Sequence, residues 1–115
     1  MWKDDASLLD MLNGARKLVA RYAPIGWDQF ATDLDRQDGA CFVICTIGEA
    51  ATRVSEEFRE AHPEVPWHKV IGARNVIIHG YDKIKPEKVW DIISVAAPEL
   101  VETLEPLLPG REQFD

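Results

Sequence analysis

No apolar run in this 115-residue chain approaches the roughly 18 residues that a helix needs to cross a bilayer. A secretory signal begins with a basic stretch followed by an apolar one, and the opening residues, Met1-Trp2-Lys3-Asp4-Asp5, do not have this pattern. No internal repeat or low-complexity tract divides the sequence. We therefore expect one domain spanning residues 1–115, located in the cytoplasm and without membrane contact.

Cysteine is scarce. The two cysteines, Cys41 and Cys45, lie four positions apart within an apolar run, on one face of a predicted helix. Free cysteines on such a face are typical buried small apolar residues of a reducing compartment. A zinc site would require further ligands close by, and two buried cysteines alone do not predict one. We expect no disulfide, no metal and no cofactor.

Positive charge is also limited. The chain has 13 lysines and arginines against 20 aspartates and glutamates, a formal net charge of −7. Non-specific binding to nucleic acid draws most of its affinity from cations that neutralise phosphates. The balance therefore argues against broad nucleic-acid binding, and any such contact has to be local.

What the chain does have is helical periodicity. Apolar residues recur at every third or fourth position, and no stretch alternates as a half-buried strand would. Pro24 and Gly26 end the first helix, Pro66 opens a later one, Gly80 ends it, and Pro86 opens the last. The predicted segments after the first helix are a short turn at 27–33 and helices at about 35–61, 66–80 and 86–108. We predict an all-α fold, an up-and-down bundle of four long helices plus one short helix.

One helical segment is more apolar than packing on a single side requires. The segment from Ala40 to Ile47 is apolar on nearly every side of its helix. A helix that is hydrophobic all round must be covered all round, by its own domain or by another subunit. We therefore expect a homodimer.

The segment that carries chemistry is Arg74–Tyr81, called here the motif segment. Four polar or ionisable residues punctuate it, and Val76–Ile78 are expected to tie it to the core. Residues five apart on a helix point about 140° away from each other, so Arg74 and His79 do not share a face. Asn75 and His79 are one turn apart and can meet directly. The candidate site residues are Arg74, Asn75, His79 and Tyr81.

A structural interpretation of the same residues stays open. Arg74 can form an ion pair, His79 suits the end of a helix, where the macrodipole favours it, and Tyr81 can pack its ring. However, an unpaired arginine on an apolar stripe is costly, and histidine exchanges protons near neutral pH. The residues alone leave the structural and the catalytic interpretation about even.

The pattern Arg74-x4-His79-x-Tyr81 resembles the signature of HEPN-domain proteins (higher eukaryotes and prokaryotes nucleotide-binding). In particular it resembles the small HepT-like group encoded beside minimal nucleotidyltransferases. The resemblance covers nearly the whole chain, because three further segments match in order and spacing. They are Ile47-Gly48-Glu49-Ala50, Pro63-Glu64-Val65-Pro66-Trp67 and Pro86-Glu87-Lys88-Val89-Trp90.

This resemblance implies a toxin of a type VII-like toxin–antitoxin pair, a metal-independent RNA endonuclease whose dimer places two motif segments around a shared cleft. It further implies that Arg74 and His79 are the catalytic pair and that Asn75 supports them. Tyr81 would be the residue to which a partner nucleotidyltransferase, the antitoxin, adds AMP. RNA would be the substrate.

Two other functions match parts of the sequence. The first is a non-catalytic helical dimer that docks a nucleotidyltransferase or binds a nucleotide. The second is a nucleotidyltransferase, because Asp33-Leu34-Asp35 offers two carboxylates at a spacing suited to Mg²⁺. That chemistry also needs a Gly-Ser turn and a third carboxylate on a strand, which the sequence lacks. Asp33 or Asp35 as the N-cap of a helix explains the pair better.

Overall fold

The computed structural model describes residues 2–80 and 83–108, and this part of the chain contains helices and no strand. The predicted all-α fold is confirmed. Its α-helices are α1 (Trp2–Lys17), α2 (Trp27–Phe30), α3 (Leu34–Arg53), α4 (Glu56–Ala61), α5 (Trp67–Gly80), α6 (Pro86–Asp91) and α7 (Ala97–Leu104). A π-helical turn at Leu18–Tyr22 extends α1, and a second one at Ile92–Ala96 joins α6 to α7. Two 3₁₀ turns follow at Ala23–Ile25 and Glu105–Leu107. No helix of the described part is long and apolar enough to span a membrane.

The core lies where α1, α3 and the α6–α7 rod face one another. Its fully buried side chains include Leu8, Met11, Leu12, Leu18, Phe30, Ile93 and Leu104. Helix α5 packs chiefly against α3 and therefore forms one edge of the molecule. The described part measures 42 × 30 × 19 Å, and the shortest dimension is about two helix diameters. A molecule this flat leaves the outer side of α5 uncovered.

The prediction of one helix from Asp35 to Ala61 is wrong, because the chain breaks at Val54 and Ser55. Val54 is extended, and Ser55 caps α4 by accepting a hydrogen bond from the Phe58 N–H at 3.1 Å. Asp4, on α1, stabilises this break between α3 and α4. Its two carboxylate oxygens accept hydrogen bonds from the Ser55 N–H at 2.9 Å and the Ser55 hydroxyl at 2.8 Å. A contact between residues 51 positions apart leaves no periodic trace in the sequence.

The start of α3 agrees with the prediction. Asp33 is its N-cap, and one carboxylate oxygen accepts a hydrogen bond from the Arg36 N–H at 3.1 Å. The other oxygen accepts from the Arg36 guanidinium at 2.9 Å. These bonds lower the pKa of Asp33, first through the backbone N–H of Arg36. One Asp33 oxygen caps the helix and the other forms an ion pair with Arg36, which accounts for Asp33 without a metal.

Asp4 should matter for stability in a pH-dependent way. Burial raises its pKa, but the two Ser55 hydrogen bonds outweigh this, so the pKa lies below its usual 3.8. The carboxylate therefore stabilises the fold above the unfolded-state pKa, and that contribution is lost as the pH falls through the folded-state pKa. We expect Asp4→Ala to lower the free energy of unfolding by about 2–3 kcal/mol at pH 7.

Urea denaturation at pH 7 and near pH 3 measures this effect, with Asp28→Ala, which removes an exposed carboxylate of α2, as the control. The gap between wild type and Asp4→Ala should narrow in acid. An equal gap at both pH values would contradict the assigned role of the ionised carboxylate.

Candidate functional site

Helix α5, which carries the motif segment, is fixed at its N-terminal end by an aromatic anchor. Trp67 is 7% exposed, and its indole N–H donates a hydrogen bond to the His62 carbonyl at 2.9 Å. Phe58 meets the Trp67 ring edge-on, with the ring centroids 6.4 Å apart. Val65 is buried beneath this turn. The start of α5 is therefore held by packing, and Pro66 precedes its first turn without losing a hydrogen bond.

In its middle, α5 lies unusually close to α3, and Gly48 permits this approach. A Cβ at Gly48 would overlap the Cβ of Arg74 and lie 3.1 Å from the Val70 carbonyl oxygen. Any larger residue at 48 has to push the two helices apart. This contact fixes the backbone of Arg74 against α3 and directs its side chain along the helix surface.

The Arg74 guanidinium is held by two oxygen-bearing side chains. Nε donates to Glu49 Oε1 at 3.0 Å, and Nη2 lies 2.9 Å from the same oxygen. Nη1 donates to Asn75 Oδ1 at 2.9 Å. A guanidinium has five N–H groups, so two of them remain available after these contacts. The Arg74 side chain is 28% exposed, so those donors can be reached from solvent.

The sequence prediction did not single out Glu49. The signal for it was present, because Glu49 belongs to the segment Ile47-Gly48-Glu49-Ala50 that carries part of the family resemblance. Gly48 and Glu49 act on the same arginine from consecutive positions, one by its lack of a side chain and the other by its charge. This segment is therefore the mount of Arg74.

Arg74 lies at the side of an open depression of about 370 Å³ between α3 and α5. Its lining residues are Cys45, Thr46, Glu49, Arg53, Arg74 and Ile78. Burial raises the pKa of the Cys45 thiol, Arg74 counteracts this, and Glu49 adds to it, so the net shift is upward. Burial, with Cys45 and Asp38, raises the pKa of Cys41 to about 11. Both cysteines are free thiols, and an upward shift of the pKa disfavours the thiolate that a nucleophilic cysteine needs.

The structure does not bring Arg74 and His79 together within one chain. Helix α5 runs unbroken to Gly80, so the two side chains diverge by about 140° and are displaced by about 7.5 Å along the axis. His79 is exposed and makes no hydrogen bond or ion pair with the residues that the structure describes. Asn75 is turned to Arg74, and the expected contact between Asn75 and His79 is not formed.

The prediction that Val76–Ile78 tie the motif segment to the core is correct for one residue of the three. Ile77 is 6% exposed, whereas Val76 is 61% and Ile78 is 50% exposed. Because α5 lies at the edge of a flat molecule, only one side of it meets α3. Phe42 on α3 is exposed as well, at 70%. Ile78 thus lines the Arg74 depression and is half exposed, and Phe42 and Val76 are further large apolar side chains that face solvent.

Two of the predicted features need separate mention. Tyr81 lies outside the described residues. Among residues 2–80 and 83–108, no group of three or more histidines, cysteines, aspartates and glutamates is arranged to hold a metal ion.

The fold and the site define a class of protein: an all-helical domain that presents a braced arginine and an exposed histidine on one edge helix. The model of the family described as "Ribonuclease HepT-like" matches residues 11–107, and the chain belongs to this HepT-like ribonuclease family. The resemblance drawn from the motif segment is thereby confirmed, and so is the expectation of a ribonuclease.

Individual relatives agree with the family. The chain is 29% identical over 100 residues to "Putative RNase MJ1380" of Methanocaldococcus jannaschii, which covers 87% of this chain and 92% of the relative. It is 31% identical over 91 residues to "Putative RNase TTE0752" of Caldanaerobacter subterraneus subsp. tengcongensis, a match that covers 79% of this chain and 81% of the relative. It is 28% identical over 108 residues to "Probable ribonuclease HepT" of Thermococcus cleftensis, a match that covers 93% of this chain and 98% of the relative. No solved structure matches.

The contact at Gly48 yields a prediction with an internal control. We expect Gly48→Ala to lower the free energy of unfolding by about 1–3 kcal/mol, because the new methyl group overlaps Arg74 and the Val70 carbonyl. Gly72 lies on the same helix as Arg74, and a Cβ there meets nothing within 4 Å. Gly72→Ala should therefore stabilise the protein by about 0.5–1 kcal/mol through helix propensity.

Thermal or chemical denaturation of the two variants provides the comparison. Equal stability of both alanine variants would contradict the close contact between α3 and α5.

Proposed function

We propose that this protein is the toxin of a toxin–antitoxin pair, a metal-independent RNA endonuclease that works as a homodimer in the cytoplasm and uses all of residues 1–115 as one HEPN-like domain. In this proposal Arg74 and His79 are the catalytic residues, and Asn75 supports Arg74. The observation that carries it is the braced Arg74 guanidinium, which keeps two free donors in an open depression on the helix that exposes His79.

The chemistry follows from what RNA cleavage needs without a metal. The ribose 2′-oxygen attacks the adjacent phosphorus as a base removes its proton, and the 5′-oxygen leaves as an acid protonates it. The products are a 2′,3′-cyclic phosphate and a 5′-hydroxyl. His79 can perform either proton transfer, and the free N–H groups of Arg74 can bind the phosphorane oxygens as their charge develops.

A second copy of the chain would complete this site. Within one chain the two side chains point to different sides of α5, so a composite site needs His79 from one protomer and Arg74 from its partner. The exposed apolar side chains on α3 and α5 support such an arrangement, because a partner copy would remove them from water. Phe42, Val76 and Ile78 are the residues that a partner copy would cover.

Regulation by AMP is the finer part of the proposal. Tyr81 follows His79 by two positions, at the end of the same motif segment. A nucleotidyltransferase antitoxin that adds AMP to its hydroxyl would place a bulky anion beside the catalytic groups. The phosphate of that group would compete with an RNA phosphate for Arg74, which would silence the enzyme.

One observation favours a second function. Glu49 already neutralises part of the Arg74 charge, as in a purely structural ion pair. A helical dimer that docks a nucleotidyltransferase, or that binds a nucleotide without cleaving RNA, would use the same residues for recognition. The two functions differ in whether RNA is cut.

Cleavage of labelled RNA in EDTA tests the proposal. We expect the wild type to produce 2′,3′-cyclic phosphate ends and His79→Ala to lose about 10²–10⁴ in rate. His68→Ala is the matched control, because His68 is an exposed histidine on the same helix, three turns earlier and on nearly the same face. Equal losses in both variants would contradict a catalytic role for His79.

The modification has its own test. Intact mass and peptide mass spectrometry of protein made with a nucleotidyltransferase partner should reveal AMP on the wild type and none on Tyr81→Phe, which should still cleave RNA. Labelling of Tyr81→Phe to the same extent as the wild type would remove Tyr81 from the proposal. If wild type carrying an unmodified Tyr81 never cuts RNA, the binding function becomes the better account.

A further inference from the structure

A second polar groove lies between α1 and α3, on the other side of α3 from the face that packs against α5. Its volume is about 720 Å³, and its lining residues are Asp10, Asn13, Gly14, Arg16, Lys17, Ala20, Arg21, Thr46 and Arg53. Four of the 13 lysines and arginines of the chain line it, beside one aspartate. Such a concentration is unexpected in a chain of net charge −7, and it creates a local positive field.

The cations of this groove are only partly neutralised. Lys17 and Arg21 are exposed and form no ion pair with the described residues. Arg53 Nη2 lies 3.6 Å from Asp10 Oδ2, and both side chains are more than half exposed. A long ion pair in water contributes little and breaks easily. Arg16 donates to Glu105 at 2.9 Å and is the most firmly held of the four.

The floor of the groove is rigid. Gly14 lets α1 lie so close to α3 that a Cβ would lie 2.5 Å from Ile47 Cγ1. The helices beneath the cations therefore cannot approach or separate without repacking the core. The backbones that carry Lys17 and Arg53 are therefore fixed on facing helices, while their side chains reach into solvent.

The groove continues into the candidate site. Thr46 and Arg53 line both the groove and the Arg74 depression. A chain of anionic groups lying along Arg21, Lys17 and Arg53 would pass over α3 and arrive beside Arg74. A phosphodiester backbone has this form, with one charge per nucleotide and no demand on base identity.

We propose that the α1–α3 groove binds the phosphate backbone of single-stranded RNA and guides it to the Arg74 depression. This inference rests on the proposed ribonuclease function and adds the path by which the substrate reaches the site. It accounts for how an acidic protein can hold RNA, because contact is confined to one groove. Asp10 is the groove's own opposing charge and weakens that contact.

The test measures binding of a fluorescent oligouridylate to the full chain by anisotropy across a range of KCl concentrations, in a His79→Ala background that prevents cleavage. Lys17→Glu combined with Arg21→Glu should weaken binding at least about tenfold. It should also reduce the slope of log K against log salt by about 1.4, since each single-strand phosphate contact accounts for about 0.7. Asp10→Asn should change affinity and slope in the opposite direction.

Lys3→Glu is the control, because Lys3 is an exposed lysine on the same helix, about 21 Å from Lys17. In the active protein, the double variant should lose cleavage of long RNA and keep cleavage of a dinucleotide, which is too short to reach the groove. If the groove variants bind RNA as tightly as the parent protein while the wild type still cleaves RNA, the proposed role of the groove is wrong and the ribonuclease function stands. Absence of both binding and cleavage would overturn the ribonuclease function, and the groove with it.

Discussion

The close contact between α3 and α5 at Gly48 is the constraint on which the site depends. Because Gly48 has no side chain, the Arg74 backbone can lie against α3, within reach of Glu49 on the next position. The ion pair then fixes a guanidinium that would otherwise be costly on a partly apolar surface. The Trp67 anchor holds the N-terminal end of the same helix. The Trp67 anchor and the contacts of Gly48 and Glu49 with Arg74 together fix the position of α5.

The same architecture explains why one copy would be incomplete in the proposed composite site. An edge helix that packs on a single neighbour exposes apolar side chains, and it turns Arg74 and His79 to different sides. A symmetric partner would cover the apolar surface and supply the missing side chain in one step. The basic groove lies on the opposite flank of α3 and shares Thr46 and Arg53 with the depression. Substrate guidance and dimer assembly can therefore use neighbouring surfaces of one helix.

The sequence predicted what local rules control. Helical periodicity and the stop signals at Pro66, Gly80 and Pro86 predicted the helices and the all-α fold, and the motif segment predicted the family. Periodicity and stop signals do not predict contacts between residues that are far apart in the sequence. The break at Ser55 depends on Asp4, 51 positions away, and the partner of Arg74 is Glu49, 25 positions away. The exposure of Val76 and Ile78 follows from the edge position of α5, which periodicity cannot reveal.

The central claim is that each active site combines Arg74 of one protomer with His79 of its partner. Purified heterodimers of Arg74→Ala and His79→Ala protomers, isolated through two different affinity tags, test it directly by their RNA cleavage. Both homodimeric variants should be inactive. The heterodimer retains one intact composite site and should recover about half of the wild-type activity, as two-fold symmetry requires. A heterodimer as inactive as either homodimer would contradict the account.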